Sequence, residues 1–164
     1  MTLTAALVRL LPHPFNFTPI GAMALFGGAC YADRRAAFGV PLIALFLSDL
    51  VIGFHALMPA VYGSFALMVL LGFWLRQRRR LVPIATATLA GSLLFFIITN
   101  FAVWAVGDGY PKTGEGLALC YVAAIPYFQN TLLGDATYAV ALFGGLALAE
   151  RAFPKLREPA LGTA

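Results

Sequence analysis

Two acids and two amides lie within or at the edge of long apolar stretches of this 164-residue sequence, where such groups are costly to bury. They are Asp49, Asn100, Asn130 and Asp135. Asn16 and Thr18 precede one apolar stretch, and Trp104 follows Asn100 by about one helical turn. Carboxylates accept hydrogen bonds from cationic or donor-rich groups, amides donate and accept at once, and an indole ring can stack. These seven residues therefore predict a ligand-binding pocket for a small molecule.

Five further residues are candidates for lid or ligand contacts: His13, His55, Tyr110, Lys112 and Cys120. The two histidines have no ligand spacing on a helix, and Cys30 and Cys120 form no C-x-x-C pattern, so no metal site is predicted. Cys120 is either an axial ligand to a metal-bearing cofactor or an inert buried thiol, which leaves the cofactor unknown. Because no nucleophile and base have an interpretable spacing, we do not expect an enzyme.

The composition places these residues in a membrane. The chain is 61% hydrophobic and 11% charged, with a mean hydropathy of +0.85, whereas about 25% of residues are charged in soluble domains. A chain of this size cannot bury so much apolar surface in its own core, so a lipid bilayer must cover part of it. The net charge of +4 does not indicate a nucleic-acid partner, because the arginines form short clusters between apolar runs.

Five apolar segments are long enough to be considered as spans of a bilayer core of about 30 Å. They are residues 18–32, 37–54, 59–75, 81–106 and 131–149. Residues 1–11 are too short to cross alone and predict a short first helix. Residues 114–128 are interrupted by Pro126 and predict a short re-entrant or interfacial helix. The expected fold is an all-α polytopic membrane helix bundle of about six helices, in a single domain covering residues 1–164.

Basic residues follow three of these segments and orient the bundle. They are Arg34, Arg35, Arg76, Arg78, Arg79, Arg80, Arg151, Lys155 and Arg157. The positive-inside rule places all three clusters, and with them the C-terminus, in the cytoplasm. Residues 12–17, 55–58 and 107–130 then form outward loops. The two acids and two amides share this outer level, whereas the inner halves of the spans hold neither, which predicts a pocket open to the outside with the loop 107–130 as its lid.

Structural roles compete with this interpretation. Asn130 could be a helix N-cap with Asp135 in the following turns, where the helix dipole favours an acid. Asp49 could pair with Lys112 or a histidine, and Asn100 could form an interhelical hydrogen bond. The aromatic side chains at the outer level, Trp104 and Tyr110 among them, also fit an interfacial belt.

Small residues recur at a spacing of four, which lets helices approach closely in lipid. The sets are Ala24 with Gly28, Ala87 with Gly91, and Ala141 with Gly145 and Ala149. Packing within the chain explains them by default, and an exposed set could instead receive another membrane subunit.

The segments LLPHPFNFTPIGAMALFGG, FLSDLVIGFH, ITNFAVW and YPKTGEGLALCYVAAIPYFQNTLLGD resemble a family of small bacterial membrane proteins known only as a domain of unknown function. The resemblance covers nearly the whole chain and implies membership without an activity. More distantly, the layout resembles the S components of energy-coupling-factor transporters, six-helix proteins that capture vitamins or metal ions under outward loops. Their A-x-x-x-A docking pattern is missing, because Ala5 and Ala6 are followed four residues later by Arg9 and Leu10.

The predicted function is a substrate-binding protein for uptake of a small micronutrient, vitamin-like or metal-containing. The resemblance implies a multi-pass protein of the bacterial cytoplasmic (inner) membrane. The alternative is a structural or accessory subunit of a larger membrane complex.

Overall fold

The computed structural model describes residues 16–154, which form five α-helices and, within that range, no strand. The helices are α1 (Ile20–Cys30), α2 (Arg34–Ile52), α3 (Met58–Leu75), α4 (Leu81–Val106) and α5 (Gly114–Ala152). The four helices α2 to α5 are long and apolar enough to cross a membrane. The prediction of an all-α, multi-pass membrane protein is therefore confirmed. The short first helix expected at residues 1–11 lies outside the described residues, so the structure shows five of the about six expected helices.

The helix α1 is the buried centre of the bundle. It has 11 residues, ten of which are buried, and its length of about 17 Å is well short of a bilayer core of about 30 Å. The span expected at residues 18–32 is thus a short internal helix. Its uniformly apolar sequence explains this position, because a helix without a polar face is stable only where all its sides are covered.

Arg76 holds the C-terminal end of α1. Its Nε donates to the carbonyl oxygen of Gly28 at 2.9 Å, and its Nη2 donates to that of Tyr31 at 2.7 Å. The guanidinium also lies over the ring of Phe73, 4.6 Å from its centroid. The last carbonyl groups of a helix have no partner within the helix, so Arg76 satisfies groups that would otherwise be buried unpaired.

We expect Arg76→Lys to lower the stability of the protein by about 1–3 kcal/mol, because an ammonium group cannot reproduce the two-donor fork or the ring contact. Thermal unfolding of the purified protein in detergent measures the change. Arg78→Lys is the matched control, because Arg78 is exposed and contacts only the carbonyl of Trp74 and its ring in the described part of the chain. Equal midpoints for the two variants would contradict this role of Arg76.

Two glycines allow α1 and α3 to approach closely. A Cβ atom on Gly28 would lie 2.8 Å from the Cα of Gly72 and would collide with the carbonyl oxygen of Val69. The predicted packing role of Gly28 therefore has a specific partner on α3. Gly145, in contrast, has nothing within 4 Å of an added Cβ among the described residues, so the Ala141 to Ala149 set faces open space there.

The helix α5 corrects two predictions about the last part of the chain. Residues 114–128 are not a separate re-entrant or interfacial helix, because they continue into residues 131–149 as one helix of 39 residues, about 58 Å long. Pro126 lies inside it, since a proline removes only one helical hydrogen bond and local adjustment of the helix can satisfy the freed backbone group. The predicted lid loop 107–130 is correspondingly wrong, and only residues 107–113 connect α4 to α5.

The arginines of the described residues gather at one end of the bundle, called here the basic end. Arg34 and Arg35 begin α2, four arginines lie between α3 and α4, and Arg151 is near the end of α5. The connections 53–57 and 107–113 lie at the opposite end. This arrangement agrees with one sign of charge on one side of a membrane. Which side that is remains a prediction.

Candidate functional site

A cavity of about 220 Å³ lies between the five helices, toward the end opposite the arginines. Four of the predicted residues line it: Asn16, Thr18, His55 and Asp135. They come from three separate parts of the chain, namely the segment before α1, the α2–α3 connection and α5. Its other lining residues are Gly21, Leu45, Val61, Phe65, Phe95 and Thr131. These four polar residues therefore share the wall of one cavity with apolar residues of α2, α3 and α4.

Asp135 is the most buried polar group of the cavity wall, with 4% of its surface exposed. Its Oδ2 accepts a hydrogen bond from the hydroxyl of Ser92 on α4 at 2.7 Å, and the carboxylate also accepts one from the backbone N–H of Ala22. The first N–H groups of a helix lack partners within the helix and favour a negative charge. Asp135 thus joins the N-terminus of α1 to α4 and α5.

Gly21 makes this contact sterically feasible. A Cβ atom at this position would lie 2.9 Å from the Cγ of Asp135 and would collide with one of its oxygens. A carboxylate has room for about four hydrogen bonds, and Ser92 and Ala22 supply two. The rest of the carboxylate can therefore serve a group inside the cavity.

The segment before α1 forms one wall of the cavity and lies on α5. Asn16 has a φ of 65°, a left-handed conformation in which asparagine is enriched among non-glycine residues. Its carbonyl accepts from the N–H of Thr18 at 3.1 Å. A Cβ atom on Gly134 would lie 3.1 Å from the Cα of Phe17, whose ring packs 5.8 Å from that of Tyr138. These contacts hold Asn16 and Thr18 in the wall of the cavity that Asp135 also lines.

Asp49 is buried behind the cavity wall and does not line it among the described residues. It has 1% of its surface exposed, and its Oδ2 accepts from the hydroxyl of Tyr62 at 2.8 Å. Leu45, one helical turn earlier, does line the cavity. The structure therefore gives Asp49 a hydrogen bond that links α2 to α3, one helical turn from the lining residue Leu45.

Tyr62→Phe should destabilise the protein by about 1.5–3 kcal/mol, because it removes a hydrogen bond to a buried carboxylate without changing the packing. Thermal unfolding of Tyr62→Phe, Asp49→Asn and the double variant forms a double-mutant cycle. We expect the double variant to be less destabilised than the two single changes combined. Strictly additive effects would show that the hydroxyl and the carboxylate do not interact.

Asn100, Trp104, Lys112 and Cys120 form a second group, outside the cavity, where α4 meets the start of α5. The amide of Asn100 donates to the carbonyl of Phe96 in its own helix at 2.8 Å, and the Cys120 thiol contacts the Asn100 carbonyl at 3.5 Å. The indole Nε1 of Trp104 donates to the carbonyl of Pro111 at 2.9 Å. Lys112 donates to the carbonyls of Trp104 and Gly107. These contacts hold the connection 107–113 against the end of α4.

Asn130 and Tyr110 do not line the cavity. Asn130 is half-buried in the interior of α5, so it is not an N-cap. Thr113 is the N-cap instead, and its hydroxyl accepts from the N–H of Gly116 at 3.2 Å. Tyr110 is half-buried in the connection 107–113. His13 lies outside the described residues.

Sequence reasoning missed several residues of the cavity. Thr131 lies one turn before Asp135 on the same face of α5, and this spacing of four could have identified it. Phe65 and Phe95 pack against each other, with centroids 5.1 Å apart, and close the apolar side. Ser92 and Gly21 carry no local signal, because their importance comes only from the position of Asp135.

The described residues hold no cluster of three histidine, cysteine or acidic side chains that could bind a metal ion. The polar groups available at the cavity are a carboxylate, two hydroxyls, an amide and an imidazole. This set can bind a molecule that carries several hydrogen-bond donors or a positive charge.

The family model described as "Family of unknown function (DUF6580)" matches residues 1–156, so the chain belongs to this family. This match confirms the predicted membership of a family without a known activity. No curated protein and no solved structure matches the chain. The similarity to S components of energy-coupling-factor transporters therefore stays a prediction.

Proposed function

Since the family description carries no activity, we propose from the geometry of the site that this protein binds a small, donor-rich or cationic molecule from the outer side of a membrane for uptake. The observation that supports this most directly is the cavity of about 220 Å³ between the five helices. Asn16, Thr18, His55 and Asp135, which are far apart in sequence, contribute to its wall. Asp135 is buried there with 4% exposure, whereas packing alone would favour an apolar side chain at such a position.

The size of the cavity restricts the ligand. Pockets for drug-sized molecules usually measure about 300–1,000 Å³, and 220 Å³ corresponds to the liquid volume of about seven water molecules. The proposal therefore favours a compact nutrient over a large vitamin. Within it, Asp135 binds the donor or cationic group at the base, Thr18 and Thr131 add hydroxyl contacts, and exposed His55 lies at the mouth.

The accessory-subunit alternative has one observation in its favour. Gly145 on α5 has nothing within 4 Å of an added Cβ among the described residues, so this surface could lie against another membrane protein. Purification from native membranes in mild detergent separates the two proposals. Co-purification of a stoichiometric partner protein would favour the subunit, and a single chain with a bound small molecule would favour uptake.

Native mass spectrometry of the purified full chain, followed by calorimetry with the released molecule, tests the binding proposal. Val61→Phe fills the cavity and should weaken binding at least about tenfold, which corresponds to about 1.4 kcal/mol. Leu67→Phe is the matched control, because this residue of the same helix is 39% exposed and does not line the cavity. A ligand whose affinity is unchanged by Val61→Phe would place its site elsewhere.

A further inference from the structure

A second and larger recess runs between α4 and α5 toward the basic end, called here the α4–α5 groove. Its volume is about 1080 Å³. The two helices meet at the opposite end, where the hydroxyl of Tyr121 donates to the carbonyl of Ile97 at 2.8 Å, and again where Ser92 contacts Asp135. From this level the groove opens toward the basic end, and Leu89 and Leu132 are the wall residues nearest its closed end.

One face of α5 forms an apolar wall of the groove. Leu132, Ala136, Ala139, Phe143 and Ala147 recur at spacings of three and four and lie on this face. The stretch from Leu132 to Arg151 is about 28 Å long. A lipid acyl chain occupies one leaflet, which is half of a hydrocarbon core of about 30 Å, so the groove is long enough to hold one.

The basic end of the groove is charged. Arg76, Arg79, Arg151 and Glu150 line it, which gives a formal net charge of +2. Arg79 lies 4.0 Å from Glu150, and Arg151 is exposed. The groove therefore has positive charge at the edge of the membrane-spanning region and an apolar wall deeper in it. An anionic phospholipid has the matching arrangement, because its phosphate lies at the membrane surface and its acyl chain extends inward.

We propose that the α4–α5 groove binds an anionic phospholipid, with the phosphate group at Arg79 and Arg151 and an acyl chain along Ala136, Phe143 and Ala147. This site is separate from the cavity beside Asp135, and it does not depend on the proposed uptake function. The two arginines account for the preference for a negative headgroup, and the apolar face of α5 contacts the acyl chain whatever the headgroup is.

The test uses the purified full chain, reconstituted with phosphatidylglycerol or phosphatidylcholine of identical acyl chains, with retained lipid measured by native mass spectrometry. We expect retention of one phosphatidylglycerol and a loss of about 30-fold in its affinity in the variant Arg79→Gln/Arg151→Gln, from two charges near the headgroup. The control Arg34→Gln/Arg35→Gln removes the same charge at the same end of the bundle and should retain the lipid. Equal retention of the two lipids, or equal loss in both double variants, would overturn the proposal.

Two further variants separate the lipid from other occupants. Glu150→Gln should raise phosphatidylglycerol retention, because it removes the acidic side chain that lies among the arginines of the groove. Ala147→Trp should lower it by filling the trough, whereas Ala123→Trp, at an exposed site outside the groove, should not. If Ala147→Trp instead dissociated a dimer, or if millimolar inorganic phosphate displaced the lipid completely, the groove would bind a second copy or a free anion and the proposal would fail.

Discussion

Gly72→Ala should produce the largest loss of stability of any single methyl addition on α3. The added Cβ would lie 2.8 Å from the Cα of Gly28 and 3.0 Å from the N of Ala29, and it would collide with the carbonyl oxygen of Leu25. All three atoms belong to the backbone of α1, which is buried along almost its whole length. A backbone enclosed on all sides cannot move away as a flexible side chain can, so the two helices must separate.

The expected loss is about 3 kcal/mol or more, at or above the upper part of the range for overpacked cores. Thermal unfolding in detergent and the yield of folded protein in membranes measure it. Gly63→Ala on the same helix is the matched control, because an added Cβ there has nothing within 4 Å among the described residues. That change should be neutral or stabilise the helix by up to about 1 kcal/mol. Equal unfolding midpoints for the two variants would refute the close α1–α3 crossing.

Asp135→Ala should have the second large effect, on both stability and binding. The change removes the acceptor for Ser92 and for the N-terminal N–H of Ala22 at a site with 4% exposure. Hydrogen bonds to a charged group contribute about 1.5–3 kcal/mol each, so we expect a loss of about 3–5 kcal/mol. Asp108→Ala is the control, because Asp108 is an exposed acid in the connection 107–113.

Asp135→Asn separates the structural role of this residue from its proposed contact with the ligand. The amide oxygen keeps one acceptor in place, so the loss of stability should be about half of that in Asp135→Ala. Affinity for a cationic ligand should still fall at least about tenfold, because the negative charge is gone. Native mass spectrometry and thermal unfolding of the same samples provide both quantities. A stable Asp135→Asn protein with undiminished ligand affinity would assign Asp135 to the fold alone.

Several helix bounds follow closely from the sequence. The predicted span 81–106 coincides with α4, and the predicted span 59–75 differs from α3 by one residue. Both are long apolar runs between arginines and short polar or glycine-containing stretches, so local composition defines their ends. The α5 helix is the counterexample. Pro126 and the polar Gln129 and Asn130 suggest an interruption locally, but α5 is continuous across them, with Pro126 and Gln129 exposed and Asn130 half-buried.

The candidate site was only partly predictable. Asn16, Thr18, His55 and Asp135 do line one cavity, because the antiparallel order of the spans brings their levels together. Asn100 shares that outer level but bonds to its own helix, and Trp104 and Lys112 hold the connection 107–113. The depth of a side chain along the membrane normal can be derived from the position of its residue in the predicted span. The direction of a side chain around the helix axis depends on how the helix is rotated against its neighbours.

The sequence by itself determined that lipid surrounds the helices, that the fold is all-α, and that the arginines gather at one end. Composition and the placement of charges are properties of short stretches of the chain, so they need no knowledge of the tertiary structure. Only the tertiary structure decided that residues 20–30 form a short central helix, that Gly28 lies against Gly72, and that Asp135 contacts Ser92 and the start of α1. Those pairings join residues 43 to 114 positions apart. They depend on crossing points and rotations of whole helices, which no short stretch of sequence specifies.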